Sequence, residues 1–349
     1  MPQSTAVLDE EPEYVENENL ATSKLSYSIV LAGGSGQRMR DFVIEWLGDA
    51  VPKQYCCFTG SKTMIEHTID RASEVSIADR IITLAAKEHA QFAQAIECPG
   101  PLIFQPCAKG TAPGILLPLA AIVAENPTAT VHILPSDHFI FPKIDFTKQL
   151  RDAEEVVKQH PDRLVTLAAK AALPETDYGW IQKDARTPFG STAFAVTNFH
   201  EKPNAELAGD YLSYGYSWNT MIMTVRAATL WGIAWDLYPE MMEKFQKLSN
   251  AWEPKIRQFP KRLLEKTYRA IDEYDFSKDL VEKIVNRVCV IEMQDLMWND
   301  WGRPSRVLET LNEISRQPNF NLNTKEKTVE KSSLLDLSFD AKNGQVICA

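Results

Sequence analysis

An α/β fold, with a mixed, mostly parallel central sheet flanked by helices, is the architecture this chain predicts. Three observations point there. Short apolar runs recur along residues 27–168, helical stretches separate them, and the first run ends in a cluster of glycines. Strand–helix alternation of this kind buries a parallel sheet on both faces. In order, residues 27–32 (YSIVLA) read as a buried strand entering a loop, and further strands are expected at 80–85, 102–104, 130–134 and 163–168. Helices are expected at 63–76, 87–95, 111–124 and 146–160. Around 179–197 the rhythm changes to two short strands, with Thr187, Pro188, Phe189 and Gly190 as the turn. This inserted β-hairpin would form a lid or wall beside the sheet's carboxyl edge. Helical pattern returns at 227–248 and 255–268, and a last strand at 287–293 leads into 298–304. The division expected is an acidic disordered tail at 1–25, one globular domain at 26–315 and a C-terminal extension at 316–349. That extension is polar apart from an apolar patch at 334–339.

Composition narrows the function. The chain has 349 residues, 44% of them hydrophobic and 24% charged, the balance of a globular protein with a sizeable core. Its formal charge of -10 argues against wrapping nucleic acid, which calls for a basic stripe. Half of that charge lies in residues 1–24, where Asp9, Glu10, Glu11, Glu13, Glu16 and Glu18 outnumber Lys24 by five. The body is only mildly acidic, so a basic pocket for a phosphorylated small molecule remains open. The amino terminus has neither the basic start nor the apolar stretch of a signal peptide. No run approaches the ~20 apolar residues that span a bilayer. The six cysteines form no CxxC pair. A cytoplasmic protein is expected, without membrane or nucleic-acid partners.

The most informative segment is Leu31-Ala32-Gly33-Gly34-Ser35-Gly36-Gln37-Arg38. Glycines directly after a strand let backbone N–H groups converge on an anion, and the arginine adds a permanently charged fork. The dinucleotide fingerprint is not met, because the position of its third small residue is Met39, and no Gly-Lys-Ser/Thr closes a Walker loop. Val51-Pro52-Lys53-Gln54 places a second cation a loop-length downstream. Asp137 follows the apolar strand 131–134, and Asp300 follows the last strand. Open parallel sheets place ligands at such strand ends, and two carboxylates there would suit one Mg²⁺, which takes few protein ligands. Taken alone, Asp137 reads equally well as a helix cap or turn residue. His138 has no second histidine at ligand spacing and reads as a polar support.

With Pro52-Lys53-Gln54, the loop Gly33–Arg38 resembles the start of sugar-1-phosphate nucleotidyltransferases, mannose-1-phosphate guanylyltransferases (GDP-mannose pyrophosphorylases) in particular. Further matches follow in the family's order: Gln105-Pro106 with Thr111-Ala112-Pro113, Leu134-Pro135-Ser136-Asp137-His138, Tyr178-Gly179-Trp180-Ile181, Glu201-Lys202-Pro203, Trp218-Asn219 and Asn299-Asp300-Trp301-Gly302. The resemblance covers about residues 27–305. It implies a Rossmann-like sheet of the nucleotide-diphospho-sugar transferase type. The activity implied joins a nucleoside triphosphate, GTP foremost, to a sugar-1-phosphate of the mannose-1-phosphate type, with release of pyrophosphate. Arg38, Lys53 and Lys202 are the expected catalytic residues. Leu31, Ala32, Gly33, Gly34, Gly36, Gln105, Gly110 and Thr111 are expected on the nucleotide. Gly179, Glu201, Lys202 and Asn219 are expected on the sugar phosphate, and Asp137 and Asp300 on Mg²⁺. A homodimer is one assembly compatible with this reading. The rival readings are another acceptor, such as a different sugar, a cyclitol phosphate or a phosphonate, with another base, and a catalytically silent regulator that binds nucleotide sugar.

The chain departs from the family pattern in four places. Gln37 replaces threonine between Gly36 and Arg38, and Gly110 stands where the family has asparagine. Trp218-Asn219-Thr220-Met221-Ile222 replaces Trp-Asn-Ser-Gly-Met, so Met221 occupies a glycine position. Asp300-Trp301-Gly302-Arg303-Pro304 alters the Asp-aliphatic-Gly-Ser-Trp segment. Met221 either points into the acceptor pocket or packs in the core, where methionine fills irregular gaps.

Overall fold

The computed structural model describes residues 26–320 and, beyond them, a two-residue strand pair, Phe339–Asp340 with Gln345–Val346. The expected acidic tail lies outside the described residues, as does nearly all of the 334–339 patch. From the amino end come β1 (Tyr27–Ala32), α1 (Gln37–Leu47), α2 (Met64–Ser73), β2 (Ile81–Ala86), α3 (Ala90–Ala93), β3 (Leu102–Gln105), α4 (Thr111–Glu125), β4 (Thr130–Pro135), β5 (Phe139–Phe141), α5 (Lys143–Gln159) and β6 (Leu164–Lys170). Then follow β7 (Gly179–Phe189), β8 (Ala193–Glu201), α6 (Ala205–Ser213), β9 (Ser217–Arg226), α7 (Ala227–Leu237), α8 (Pro239–Asn250), α9 (Lys261–Arg269), β10 (Val288–Glu292), β11 (Met297–Asn299) and α10 (Pro304–Glu313).

Nine strands form one sheet in the order β3-β2-β1-β4-β9-β6-β10-β8-β7, and β5 pairs with β11 in a separate two-stranded ladder. The pairings make β8 and β9 run against the other seven. Alternation along β1 shows how the sheet is buried on both faces. Ile29 enters the core that α4, α7 and α8 cover, while Val30 enters the core that α2 and α5 cover. Helix α4 is apolar all round and almost wholly buried. A third cluster joins α1 to α10 through Met39, Val43, Val307 and Leu311, and Phe320 packs into it. The core therefore extends past the expected boundary at 315. No helix among the described residues is long and apolar enough to cross a membrane.

Local chemistry sets the element ends. Thr63 and Glu66 cap α2 reciprocally, the Thr63 N–H donating to Glu66 Oε2 at 2.7 Å. The helix expected over 227–248 is broken at Tyr238 because Pro239 starts a new one. Pro260 likewise delays the next helix to Lys261. The segment 87–95 divides into a 3-10 turn, Lys87–His89, and the single turn of α3. The expected hairpin is present but joined to the sheet, since β8 pairs with β10 and the start of β7 pairs with β9. Its turn falls after Phe189, where Gly190 has a positive φ of 69°.

Candidate active site

The carboxyl ends of β1, β3 and β4 lie along one edge of the sheet, with Leu31 paired to Pro135. The loop after β1 is held in shape by Gln54, whose side-chain Nε2 donates to the carbonyls of Ala32 (3.0 Å) and Gly34 (2.9 Å). Ser136 donates to the Leu31 carbonyl through both its backbone N–H and its hydroxyl. Gln105 ends β3 against this loop, so close that a Cβ on Gly33 would lie 2.7 Å from its Nε2. Its Oε1 is buried without a partner. At Gly110 a φ of 81° and the approach of the Tyr274 carbonyl exclude a side chain. The neighbouring Thr111 hydroxyl accepts from Phe276 N at 2.7 Å. The glycine loop and Gln105 thus lie together, while Gly110 and Thr111 pack against Tyr274 and Phe276.

Lys53 occupies the centre. Pro52 fixes the entry to the 3-10 turn Lys53–Tyr55, and the lysine side chain is only 4% exposed. Its Nζ pairs with Asp137 Oδ2 at 2.8 Å and donates to the Asp300 carbonyl. One ammonium thus joins the two aspartates that stand far apart in sequence. Asp300 is the more enclosed. Its Oδ1 accepts from the Tyr178 hydroxyl (2.6 Å), Arg306 Nη1 (2.8 Å) and Gly302 N (3.1 Å), while its Oδ2 accepts from Arg38 Nη2 (2.8 Å). Burial opposes its charge, yet Lys53, the Tyr178 hydroxyl, Arg38 and Arg306 hold its carboxyl far below the usual range. Asp137 is also lowered, with burial outweighed by Lys53 and then His138. Burial pushes His138 down to about 4, so the ring is neutral at pH 7. It packs edge-on against Trp298, in keeping with a support role.

Arg38 does not stand free for a phosphate. Its guanidinium bridges Asp177 and Asp300, both at 2.8 Å, and Arg303 joins the same Asp177 carboxylate at 3.0 Å. The Arg38 side chain is half exposed (47%), so it can exchange these partners for a ligand. As a cation site, the two aspartates offer hard oxygens, as Mg²⁺ prefers. Lys53 takes one oxygen of Asp137, and Asp300 Oδ2 is held by the movable Arg38 alone. Among the described residues no group of three or more His, Cys, Asp or Glu is placed to hold a metal. The arrangement therefore fits a cation taking two protein oxygens and completing its shell with water and phosphate.

The sugar-side residues gather where β7, β8 and β9 meet. Gly179 pairs with Glu201 across the hairpin, and a Cβ on Gly179 would lie 2.5 Å from Glu201 Oε2 and 3.1 Å from Asn219 Cβ. Glu201 Oε1 pairs with Lys202 Nζ at 3.2 Å, while its Oε2 is buried without a partner. Burial raises the Glu201 carboxyl above its ordinary value, Lys202 only partly offsetting it. Asn219 is less available than its residue type suggests. Its Oδ1 accepts from Thr166 Oγ1 (3.3 Å) and Met221 N (3.2 Å), and its Nδ2 donates to Ser277 Oγ (3.2 Å). Two residues at this junction, Lys202 and Met221, have positive φ values of 49° and 60°.

The chain that builds this cleft has counterparts among known proteins. A family model described as nucleotidyl transferase matches residues 27–317. The chain belongs to the nucleotidyl transferase family. It is 29% identical over 302 residues to a mannose-1-phosphate guanylyltransferase of Escherichia coli strain K12, covering 83% of this chain and 60% of that protein. It is 31% identical over 295 residues to the xanthan biosynthesis protein XanB of Xanthomonas campestris pv. campestris strain B100, covering 80% and 58%. The crystal structure of mannose-1-phosphate geranyltransferase from Thermus thermophilus shares the fold, with a TM-score of 0.67 at 23% identity over 81% of this chain and 79% of that one. The chain spans about half the length of the curated relatives it matches.

Sequence reasoning missed four contributors to this cleft of the nucleotidyl transferase family member: Gln54, Asp177, Arg306 and the hydroxyl of Tyr178. Gln54 and Tyr178 lay inside motifs already singled out. Arg306 carried no signal, since a basic residue on an amphipathic helix is usually solvated. Here it is buried, ion-paired to Glu175 (2.7 Å) and Asp300 (2.8 Å), with its Nη1 donating to Tyr178.

Proposed function

We propose that the cleft catalyses transfer of a nucleotidyl group from a nucleoside triphosphate, GTP foremost, to a sugar-1-phosphate. The acceptor's phosphate oxygen attacks the α-phosphorus, a new O–P bond forms, the bond to the β-phosphate oxygen breaks, and pyrophosphate leaves with that electron pair. The observation that carries this reading is Lys53, buried beneath the glycine loop and joined to both Asp137 and Asp300. A buried ammonium held by the Asp137 carboxylate and the Asp300 backbone carbonyl is fitted to meet phosphoryl charge in a place of low dielectric.

In this reading the backbone from Leu31 to Gly36 and the side chain of Gln105 receive the nucleotide, the unpartnered Gln105 Oε1 taking a hydrogen bond from the base edge. Arg38 leaves Asp300 for the triphosphate, and its departure frees Asp300 Oδ2. Asp137 and Asp300 are then the residues to hold Mg²⁺, which supplies neutralisation of the developing phosphate charge. Lys53 faces the α-phosphoryl group. Lys202 orients the acceptor phosphate, and the free oxygen of Glu201 takes a sugar hydroxyl. The protein makes no covalent bond, so positioning and charge supply the acceleration. A cytoplasmic site of action accompanies the proposal.

The test is a matrix of four nucleoside triphosphates against a panel of sugar-1-phosphates, read by pyrophosphate release. Release that requires both substrates is the expected result. Absence of release from every pair, or release without acceptor, refutes the proposal.

A further inference from the structure

Strand β9 contains a fault beside the acceptor residues. Along its ladder with β6, Leu167 pairs with Ile222 but Ala168 pairs with Asn219, which leaves Thr220 and Met221 as a bulge. The Thr220 hydroxyl, donating to the Leu167 carbonyl at 2.5 Å, anchors the bulge. Met221 bears its turn with φ at 60°, a conformation that disfavours every residue with a Cβ. Met221 packs against the main core on one side, yet it is only half-buried, so part of its side chain lies outside that core.

The polar groups around Met221 are directed at one another. The Ser277 hydroxyl donates to the Met221 sulfur at 2.8 Å and accepts from Asn219 Nδ2 at 3.2 Å. Asn219 Oδ1 is engaged by Thr166 and by the Met221 N–H. A hydroxyl pressed onto the side chains of residues 219–221 finds their polar atoms already engaged, and a buried unpartnered hydroxyl is unfavourable. The free oxygen in this corner is Glu201 Oε2.

We propose that Met221 sets the acceptor specificity, selecting a sugar phosphate that carries hydrogen or methyl where a hexose phosphate turns a hydroxyl toward residues 219–221. Glu201 serves a remaining hydroxyl, and the thioether faces the deoxygenated position. This inference rests on the reading above that the acceptor lies among Glu201, Lys202 and Asn219. Strain at Met221 is retained because its side chain shapes that pocket; a glycine there relieves the strain and enlarges it.

The experiment compares the wild type, Met221→Gly and Met221→Ala with mannose-1-phosphate and its 2-, 4- and 6-deoxy analogues. Binding is measured by calorimetry and turnover by pyrophosphate release. The wild type is expected to favour at least one deoxy analogue over the parent by about tenfold, the range that a single misplaced group commands in a pocket. Met221→Gly abolishes that preference, leaves the KM for the triphosphate unchanged and does not lower Tm. Met221→Ala, which keeps the disfavoured φ but loses the thioether, shows the same change in preference without a gain in Tm. An unchanged ranking with a lowered Tm in Met221→Gly overturns the proposal and assigns Met221 to packing. A wild type that favours the parent overturns it as well. A deoxy preference in binding with no pyrophosphate release from any acceptor supports the role of Met221 while refuting nucleotidyl transfer.

Discussion

Replacing Arg306 by methionine tests whether α10 organises the active site. The substitution keeps much of the side chain's volume but removes the guanidinium from Asp300, Glu175 and the Tyr178 ring that it overlies at 5.1 Å. The Arg306, Asp300 and Glu175 side chains are 10%, 8% and 15% exposed, so solvent cannot replace the lost partner. Breaking a buried pair of this kind costs about 3–5 kcal/mol. At about 2 °C per kcal/mol for a domain of this size, Tm falls by roughly 6–10 °C. The assay is thermal unfolding of the single variant, of Glu175→Gln and of the double variant, read as a cycle. Arg306→Met, Glu175→Gln recovers part of the loss, because the Glu175 charge is no longer stranded. Turnover in Arg306→Met falls through kcat more than through KM for either substrate, since Arg306 acts through Asp300 and touches no ligand. A variant with the wild-type Tm and kcat refutes the reasoning.

Further outcomes are expected. Lys53→Met lowers kcat at least ~10²-fold, as loss of a preorganised charge in the transition state requires, and steady-state pyrophosphate release checks it. Added Mg²⁺ raises the Tm of the wild type, and Asp137→Asn abolishes that rise in a thermal-shift titration; an undiminished rise refutes the two-aspartate site. Lys202→Ala weakens the sugar phosphate far more than the triphosphate and Arg38→Ala the reverse, as separate calorimetric titrations would show. Glu201 has a folded-state pKa raised above its ordinary 4.5 by burial. The fold therefore favours its neutral form, and the ionised form lowers stability above that pH. Glu201→Gln accordingly raises Tm at pH 7, with a gain that vanishes as pH falls below about 4.5, while acceptor binding weakens; a lower Tm at pH 7 contradicts this assignment.

The first half of the sheet was legible because β1, β2 and β4 are buried on both faces and read as unbroken apolar runs. Strand β9 was not expected as an element of the sheet, although it lies at the centre. Asn219, Thr220 and Thr224 interrupt its apolar pattern, and its antiparallel course breaks the strand–helix rhythm. The three-residue strands β5 and β11 hold each other, and neither is long enough to show a period. Motif residues on both sides of the cleft were legible, and the fold brings them to one edge. Their engagement was not. Lys53 reads as an ordinary loop cation until the structure buries it, and Asn219 reads as a free amide until Thr166 and Ser277 are placed around it.

The attachment of Arg38 to Asp300 spans 262 residues, and that of Arg306 to Tyr178 spans 128. Closing such long loops comes late in folding, because the entropy of the intervening chain opposes it until the sheet is built. During synthesis, β1 and its glycine loop leave the ribosome long before their partners exist. The half-formed cleft then presents an arginine and a lysine without Asp300 and Arg306 to organise them. On the proposed reading the site is complete only once α10 docks on α1 and brings Arg306 to Asp300. A nascent or truncated chain ending before residue 306 would bind phosphates loosely and transfer none.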